Sequence, residues 1–392
     1  MTRKLLPLLL LALSAPAWGA YAYRATITVP YKCVGGGNCT STSGTEAESN
    51  FTVPVSGSDT SLKLHSGGGQ IYNTTTEYGE IVPVDLIFTT DATCASVAGV
   101  NGWAFKYYSG TSGLFYAYVS VGTLSYTANT VLYACYGQSS ANTWLGGSAG
   151  AAFNSPAAYF PFGNGTTLNE SDFSANANSV YSSGSSVAAM AGNFDGAVST
   201  PSSAHGIRYY PSTGLPSGAI NATMCMVAYN SAIFSFGEYN LPSFGGFNFG
   251  PYQTANTLTL NWGVSNNNQG GAWGINAVGS VPSNTWVPLC VTIASGTTVR
   301  FYINGAADSG NPQTISALNV TGDTMAVGED TEWAYYYATE SSDNLIYGSV
   351  KSAGWIATWS NSMSQNSTFA AVSAIGPLSG GAATVTMTPI IM

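Results

Sequence analysis

Thr298-Val299-Arg300-Phe301-Tyr302-Ile303-Asn304-Gly305 is the stretch that decides the fold. Val299, Phe301 and Ile303 alternate with Thr298, Arg300 and Tyr302, which is the period of a strand rather than of a helix. Asn-Gly follows at once, and its tolerance of left-handed backbone suits a tight hairpin turn. The same period recurs in Tyr23 to Val29 and in Phe51 to Val55. Further strand-like runs are Val84–Thr90, Leu114–Val121, Thr130–Tyr136, Ala222–Tyr229, Thr257–Trp262, Trp286–Ile293 and Ala382–Ile391. All are short and are separated by Gly, Asn, Ser and Pro clusters, the spacing of sandwiches or barrels. The chain therefore reads as all-β, with helix expected only at the N-terminus and in a turn near Thr368–Val372.

Composition narrows the function classes. Of 392 residues only 7% are charged, with 18 acidic against 9 basic groups and a net charge of −9, where a soluble domain has about 25% charged residues. A nucleic-acid partner is excluded, because nine scattered cations cannot form the basic stripe that displaces counterions. With 45% hydrophobic and 12% aromatic residues, the chain has ample material for a core and does not match a charge-rich disordered segment.

Arg3 and Lys4, the apolar run Leu5–Leu13 and the small residues of Ser14–Ala22 read as a secretory signal peptide, residues 1–22. Cuts after Ala17, Gly19 or Ala22 all fit. Losing Arg3 and Lys4 leaves 7 basic against 18 acidic groups, net −11. The apolar run is shorter than the ~20 residues of a membrane span, and no later segment is longer, so no span is expected in the mature chain. A secreted, periplasmic or cell-surface location follows. Six cysteines agree with an oxidising compartment. They allow fifteen pairings; the local scheme is Cys33–Cys39, Cys94–Cys135 and Cys225–Cys290. Zinc is disfavoured, since no C-x-x-C occurs and the only histidines are His65 and His205.

The Gly-, Ser- and Ala-rich stretch within 138–155 reads as a linker. It divides an N-terminal unit, 23–137, from a C-terminal unit, 156–376, with a tail or edge strand at 377–392.

The second unit resembles laminin-G-like domains of the concanavalin A-like superfamily. Ala157 to Asn178, Gly192-Asn193-Phe194-Asp195-Gly196-Ala197, Gly214 to Gly218, Thr285-Trp286 and Val291-Thr292 carry the likeness, with Tyr302-Ile303-Asn304-Gly305 its most specific piece. Met325 to Gly328, a closing strand from Ile346 to Trp359 and an end at Ser360–Ser364 complete it. The first unit resembles, more loosely, a domain of unknown function that often precedes laminin-G-like domains in bacterial and phage surface proteins; Tyr23–Val29, Phe51–Ser56, Val84–Asp91 and Val131–Gly137 carry that likeness. Together the resemblances imply two tandem jelly-roll-like β-sandwiches, the second concanavalin A-like. Many relatives have an acidic pair at the start of the closing strand. Here Lys351-Ser352 stand there, which leaves Glu329, Asp330 and Glu332 as the local substitute for a calcium site. A solvated acidic loop is the plainer reading of those three.

Catalysis is not expected. Glucanases of this fold place three carboxylates as E-x-D-x-x-E, and retaining hydrolysis needs two of them about 5 Å apart. No acidic residue of the chain has that spacing: Glu77 and Glu80 lack the intervening Asp. Gly146-Gly147-Ser148-Ala149-Gly150 matches G-x-S-x-G, yet lies in the linker without the strand and helix a nucleophile elbow needs.

Neutral, aromatic-rich stretches suit sugars, whose ring faces stack on Trp and Tyr while amides meet hydroxyls. Asn261–Asn276, with Trp262, Asn267, Gln269 and Trp273, has this composition, as does Trp333–Tyr337, with Trp333, Tyr335 and Tyr336. The same aromatics are ordinary sandwich-core residues. The expected function is a non-catalytic, carbohydrate-binding extracellular module. The alternatives are a structural or adhesive surface or virion protein that binds protein partners and, less favoured, a glycoside hydrolase. No cofactor is expected beyond calcium at the acidic cluster.

Overall fold

The computed structural model describes residues 21–378, apart from 149, 203–204, 231, 238–246, 253–256, 263–274, 316–322, 330–337 and 374. Strands dominate and pair antiparallel throughout the named sheets. In the first half, Glu48–Ser58, Leu114–Leu124 and Val100–Ser109 form one sheet. Facing it, Tyr23–Val29 lies between Thr130–Tyr136 and the C-terminal Ala371–Val372, with Leu86–Thr89 beyond Thr130–Tyr136. In the second half, a seven-stranded sheet packs against a nine-stranded one whose centre is Thr339–Tyr347, Ala222–Tyr229, Trp286–Ala294 and Thr298–Ile303.

The decisive hairpin is as expected. Ile303 pairs with Ala306 across Asn304 and Gly305, which have φ of 51° and 76°. Gly305 has a second constraint: a Cβ there would come within 2.9 Å of the Ser360 Cβ and 3.0 Å of the Ala357 Cα.

The strand Ala222–Tyr229 explains why its sequence is apolar throughout. Met224 and Met226 enter the core between the two large sheets. Cys225 and Val227, on the opposite face, enter a second core that runs through the first half. Alternating side chains thus find apolar partners on both faces. Cys225 sits directly opposite Cys290 in the ladder, and the disulfides are Cys33–Cys39, Cys94–Cys135 and Cys225–Cys290, the local scheme.

Three boundaries differ from the sequence reading. Tyr21 is buried and the Ala22 backbone N–H donates to Tyr136, so a boundary at residue 22 falls inside the folded unit. The stretch 138–155, expected as a linker, ends in the short 3-10 turn Ala151–Phe153. Phe153 is fully buried there, stacked on Tyr159 at 4.3 Å and 5.2 Å from Tyr118, which joins the two halves through one core. The expected closing strand Ile346–Trp359 is a strand only to Tyr347 and then the helix Ala353–Ser364. Ser352 caps that helix by accepting from the Trp355 N–H at 3.0 Å, and Trp355, Ile356, Trp359 and Met363 bury one helical face against the first half. The chain then returns to the first sheet, where Gly376–Pro377 pairs with Tyr23–Val29. The rest of the expected tail, beyond residue 378, lies outside the described residues.

The helix docks beside Glu48, whose carboxyl is raised from its ordinary 4.5 to about 7. Burial is the chief cause and the nearby Glu46 charge adds to it; a hydrogen bond from Thr358 and the Lys351 charge oppose it. The native state therefore holds a proton that the unfolded chain has released. Stability should fall as pH rises from about 4.5 to about 7, at about 1.4 kcal/mol per unit of pKa difference. Glu48→Gln is expected to be more stable than the parent at pH 8, by roughly 1–3 kcal/mol. Urea unfolding at pH 8 and pH 4 checks it, with the advantage gone at pH 4.

Candidate functional site

The residues expected to bind ligand divide by position. Trp262 ends the strand Thr257–Trp262 and pairs with Phe247; its side chain is not described. Asn267, Gln269, Trp273, Trp333, Tyr335 and Tyr336 lie outside the described residues, as do Asp330 and Glu332.

Glu329 is described, and its surroundings do not fit calcium. Its carboxylate is buried, with Oε1 accepting from the Arg208 Nε at 2.7 Å and Oε2 lying 3.1 Å from the His205 Nδ1 and 3.3 Å from the Gly206 N–H. A guanidinium occupies the place a cation would take, so this carboxylate is part of an ion pair that ties Ile207–Tyr209 to the end of Thr324–Val327. Among the described residues no group of three His, Cys, Asp or Glu side chains could hold a metal ion.

A cleft of 420 Å³ opens where the two halves meet. One wall is the tip of the hairpin Thr74–Glu77/Glu80–Pro83, whose turn residues Tyr78 and Gly79 both have positive φ, 50° and 81°. The other wall is the second half's loop and following strand, from Glu170–Asp172 to Ala177–Val180. The tip is pinned across the seam. The Tyr78 ring stacks on Phe173 at 4.3 Å, its hydroxyl accepts from the Gly150 N–H at 2.7 Å, and Asn169 Nδ2 donates to the Tyr78 carbonyl at 2.8 Å and to Glu80 at 3.0 Å.

The loop wall is held in shape by hydrogen bonds to its own polar side chains. Asp172 accepts from the Tyr159, Ser174 and Asn178 N–H groups, from the Ser174 hydroxyl and from Asn178 Nδ2, at 2.7–3.0 Å. With both oxygens so engaged, Asp172 organises the loop and is not disposed to act as nucleophile or base. Asn178 Oδ1 in turn accepts from the Thr213 N–H at 2.7 Å. Glu170 accepts from the Ser183 hydroxyl, and its carbonyl from the Tyr209 hydroxyl at 2.9 Å. Burial raises both Tyr78 and Glu80 above their ordinary values.

No Lys or Arg lines the cleft. Its walls offer carboxylate and amide oxygens, serine hydroxyls, the Tyr78 ring and two small apolar side chains, Ala177 and Val180, the latter 38% exposed. Such a surface accepts hydrogen bonds from hydroxyl groups and repels phosphates. Sequence reasoning missed it because Tyr78 and Glu170 are 92 positions apart by number and meet only through the joined core. The one local signal was the density of Asn, Ser and Asp in 164–179, read as family likeness rather than as a wall.

Comparison with known proteins now bears on the second half. Residues 226–357 match a laminin-G family model described as the concanavalin A-like lectin/glucanases superfamily. Among solved structures, domain 4 of AbnA, a GH43 extracellular arabinanase from Geobacillus stearothermophilus in complex with arabinotriose, is similar at 14% identity and a TM-score of 0.39, over 52% of this chain and 97% of that one. The botulinum neurotoxin serotype D ligand binding domain in complex with N-acetylneuraminic acid is similar at 15% identity and a TM-score of 0.37, over 55% of this chain and 52% of that one. The serotype G binding domain is similar at 12% identity and 0.35, over 52% and 50%. The chain thus spans about half the length of these toxin domains. A search of curated proteins found no match. With its antiparallel strands and its Asn-Gly hairpin in place, the segment 226–357 is similar to laminin-G-like domains of the concanavalin A-like superfamily.

Proposed function

We propose that the protein is an extracellular, non-catalytic module that binds carbohydrate, and that the cleft between Tyr78 and Glu170–Val180 is its sugar site. The observation that carries this reading is the cleft itself. Its 420 Å³ lies within the roughly 300–1,000 Å³ of small-ligand sites, and its fixed acceptors and uncharged donors match hydroxyl-rich, uncharged ligands. The tied-down Asp172 favours binding over hydrolysis. Three disulfides suit export, and no helix among the described residues is long and apolar enough to cross a membrane.

A glycan array tests the reading. Binding to neutral glycans is expected, with Glu170→Ala and Ser171→Ala each weakening it about tenfold, the loss of roughly 1.4 kcal/mol that one hydrogen bond can account for. Loss confined to Trp262→Ala and Trp273→Ala would move the site to the 261–276 loop. No glycan retained by the folded protein would overturn the proposal and favour a surface protein that binds protein partners.

A further inference from the structure

Lys106 is the most unusual cation in the molecule. It lies on the strand Val100–Ser109 of the first half, and its side chain is wholly buried. Its Nζ donates to the Gly196 carbonyl at 2.9 Å and lies 3.4 Å from Oδ2 of Asp343, a residue of the second half that is also wholly buried. That separation is long for a charge-assisted hydrogen bond, about 2.7–2.9 Å. Both hydroxyls of Tyr118 and Tyr159 donate to the other oxygen, Oδ1. Phe194 closes the site, with its ring 5.6 Å from Nζ.

The backbone is arranged to bring the two groups together. Asp343 has a φ of 53° where the ladder between Ala222–Tyr229 and Thr339–Tyr347 shifts register. A bulge of this kind re-aims a side chain, and here the carboxyl points across the seam at Lys106. Two charges buried this deeply carry a desolvation penalty of several kcal/mol each, whereas a neutral amide in the same place carries none of it.

We propose that Lys106 and Asp343 are joined after folding by an isopeptide bond between Nζ and Cγ, which ties the first half covalently to the second. The partners already present are those an amide needs: Oδ1 would remain as the carbonyl that accepts from Tyr118 and Tyr159, and the amide N–H would donate to the Gly196 carbonyl. In the reaction a proton passes from Nζ to Oδ2, the uncharged amine attacks Cγ of the Asp343 carboxyl and the C–N bond forms. The two tyrosine hydroxyls stabilise the charge that develops on Oδ1. Asp195, whose charge acts on Lys106, takes a proton from Nζ and returns it to Oδ2. The C–Oδ2 bond then breaks and water leaves, with no oxidant or reductant required. Burial lowers Lys106, which favours its uncharged amine, and raises Asp195, which makes its carboxylate a stronger base; both tyrosines lie well above their ordinary value and stay protonated.

This inference is independent of the sugar reading, and mass spectrometry of the reduced, denatured full chain tests it. The expected mass is one water below that of the same chain by sequence, and a branched peptide should join the segments that hold Lys106 and Asp343. Lys106→Met and Asp343→Ala should each show the full sequence mass, a readout that does not depend on how stable either variant is. Full sequence mass in the parent, or a lost water with Lys106 and Asp343 found in separate linear peptides, would overturn the proposal.

Discussion

Phe153→Ala should lower the stability of the whole chain by about 3–5 kcal/mol, the cost of emptying a fully buried aromatic site. Phe153 stacks on Tyr159, packs on Tyr118 and Phe173, and its carbonyl accepts from the Tyr347 hydroxyl at 2.8 Å. These contacts come from both halves, so a cavity there loosens the seam rather than one sandwich. Were 138–155 a plain linker, the change would be nearly silent, within the roughly 0.5 kcal/mol typical of exposed positions. Denaturant unfolding followed by tryptophan fluorescence distinguishes the two.

Lys106→Met is the second large effect. It leaves a free Asp343 carboxyl buried against Tyr118 and Tyr159 without its Lys106 partner, and leaving a buried group unpartnered in this way costs about 3–5 kcal/mol. Loss of the cross-link adds to that cost. Thermal melts of parent and variant at pH 7 measure it, and an unchanged melting temperature would mean that the pair does not help hold the seam.

Local pattern made much of the fold legible and left the seam hidden. Alternation in Thr298–Ile303 and the Asn304-Gly305 turn specify a hairpin by themselves, because both depend on neighbours in sequence. The cysteine pairs were reachable for a similar reason: each joins residues within one half. The run Ile346–Trp359 reads as one closing strand by family likeness, although the i, i+4 pairs Trp355/Trp359 and Trp359/Met363 have the period of the helix Ala353–Ser364. Phe153 was lost among small residues, since Gly- and Ser-rich composition does not reveal one buried ring. Lys106, Asp343 and the cleft walls were illegible in principle, since Lys106 and Asp343 are 237 positions apart and meet only once two β-sandwiches share a core. Of the residues expected to bind sugar, Trp262 has its place in a strand, and the rest lie outside the described residues.

The cleft and the Lys106–Asp343 contact both exist only if the halves fold as one body, and that is the central claim. Scanning calorimetry of the intact, oxidised chain tests it most directly. One cooperative transition is expected, with calorimetric and van't Hoff enthalpies that agree; two separable transitions, one for each half, would mean that the halves fold independently.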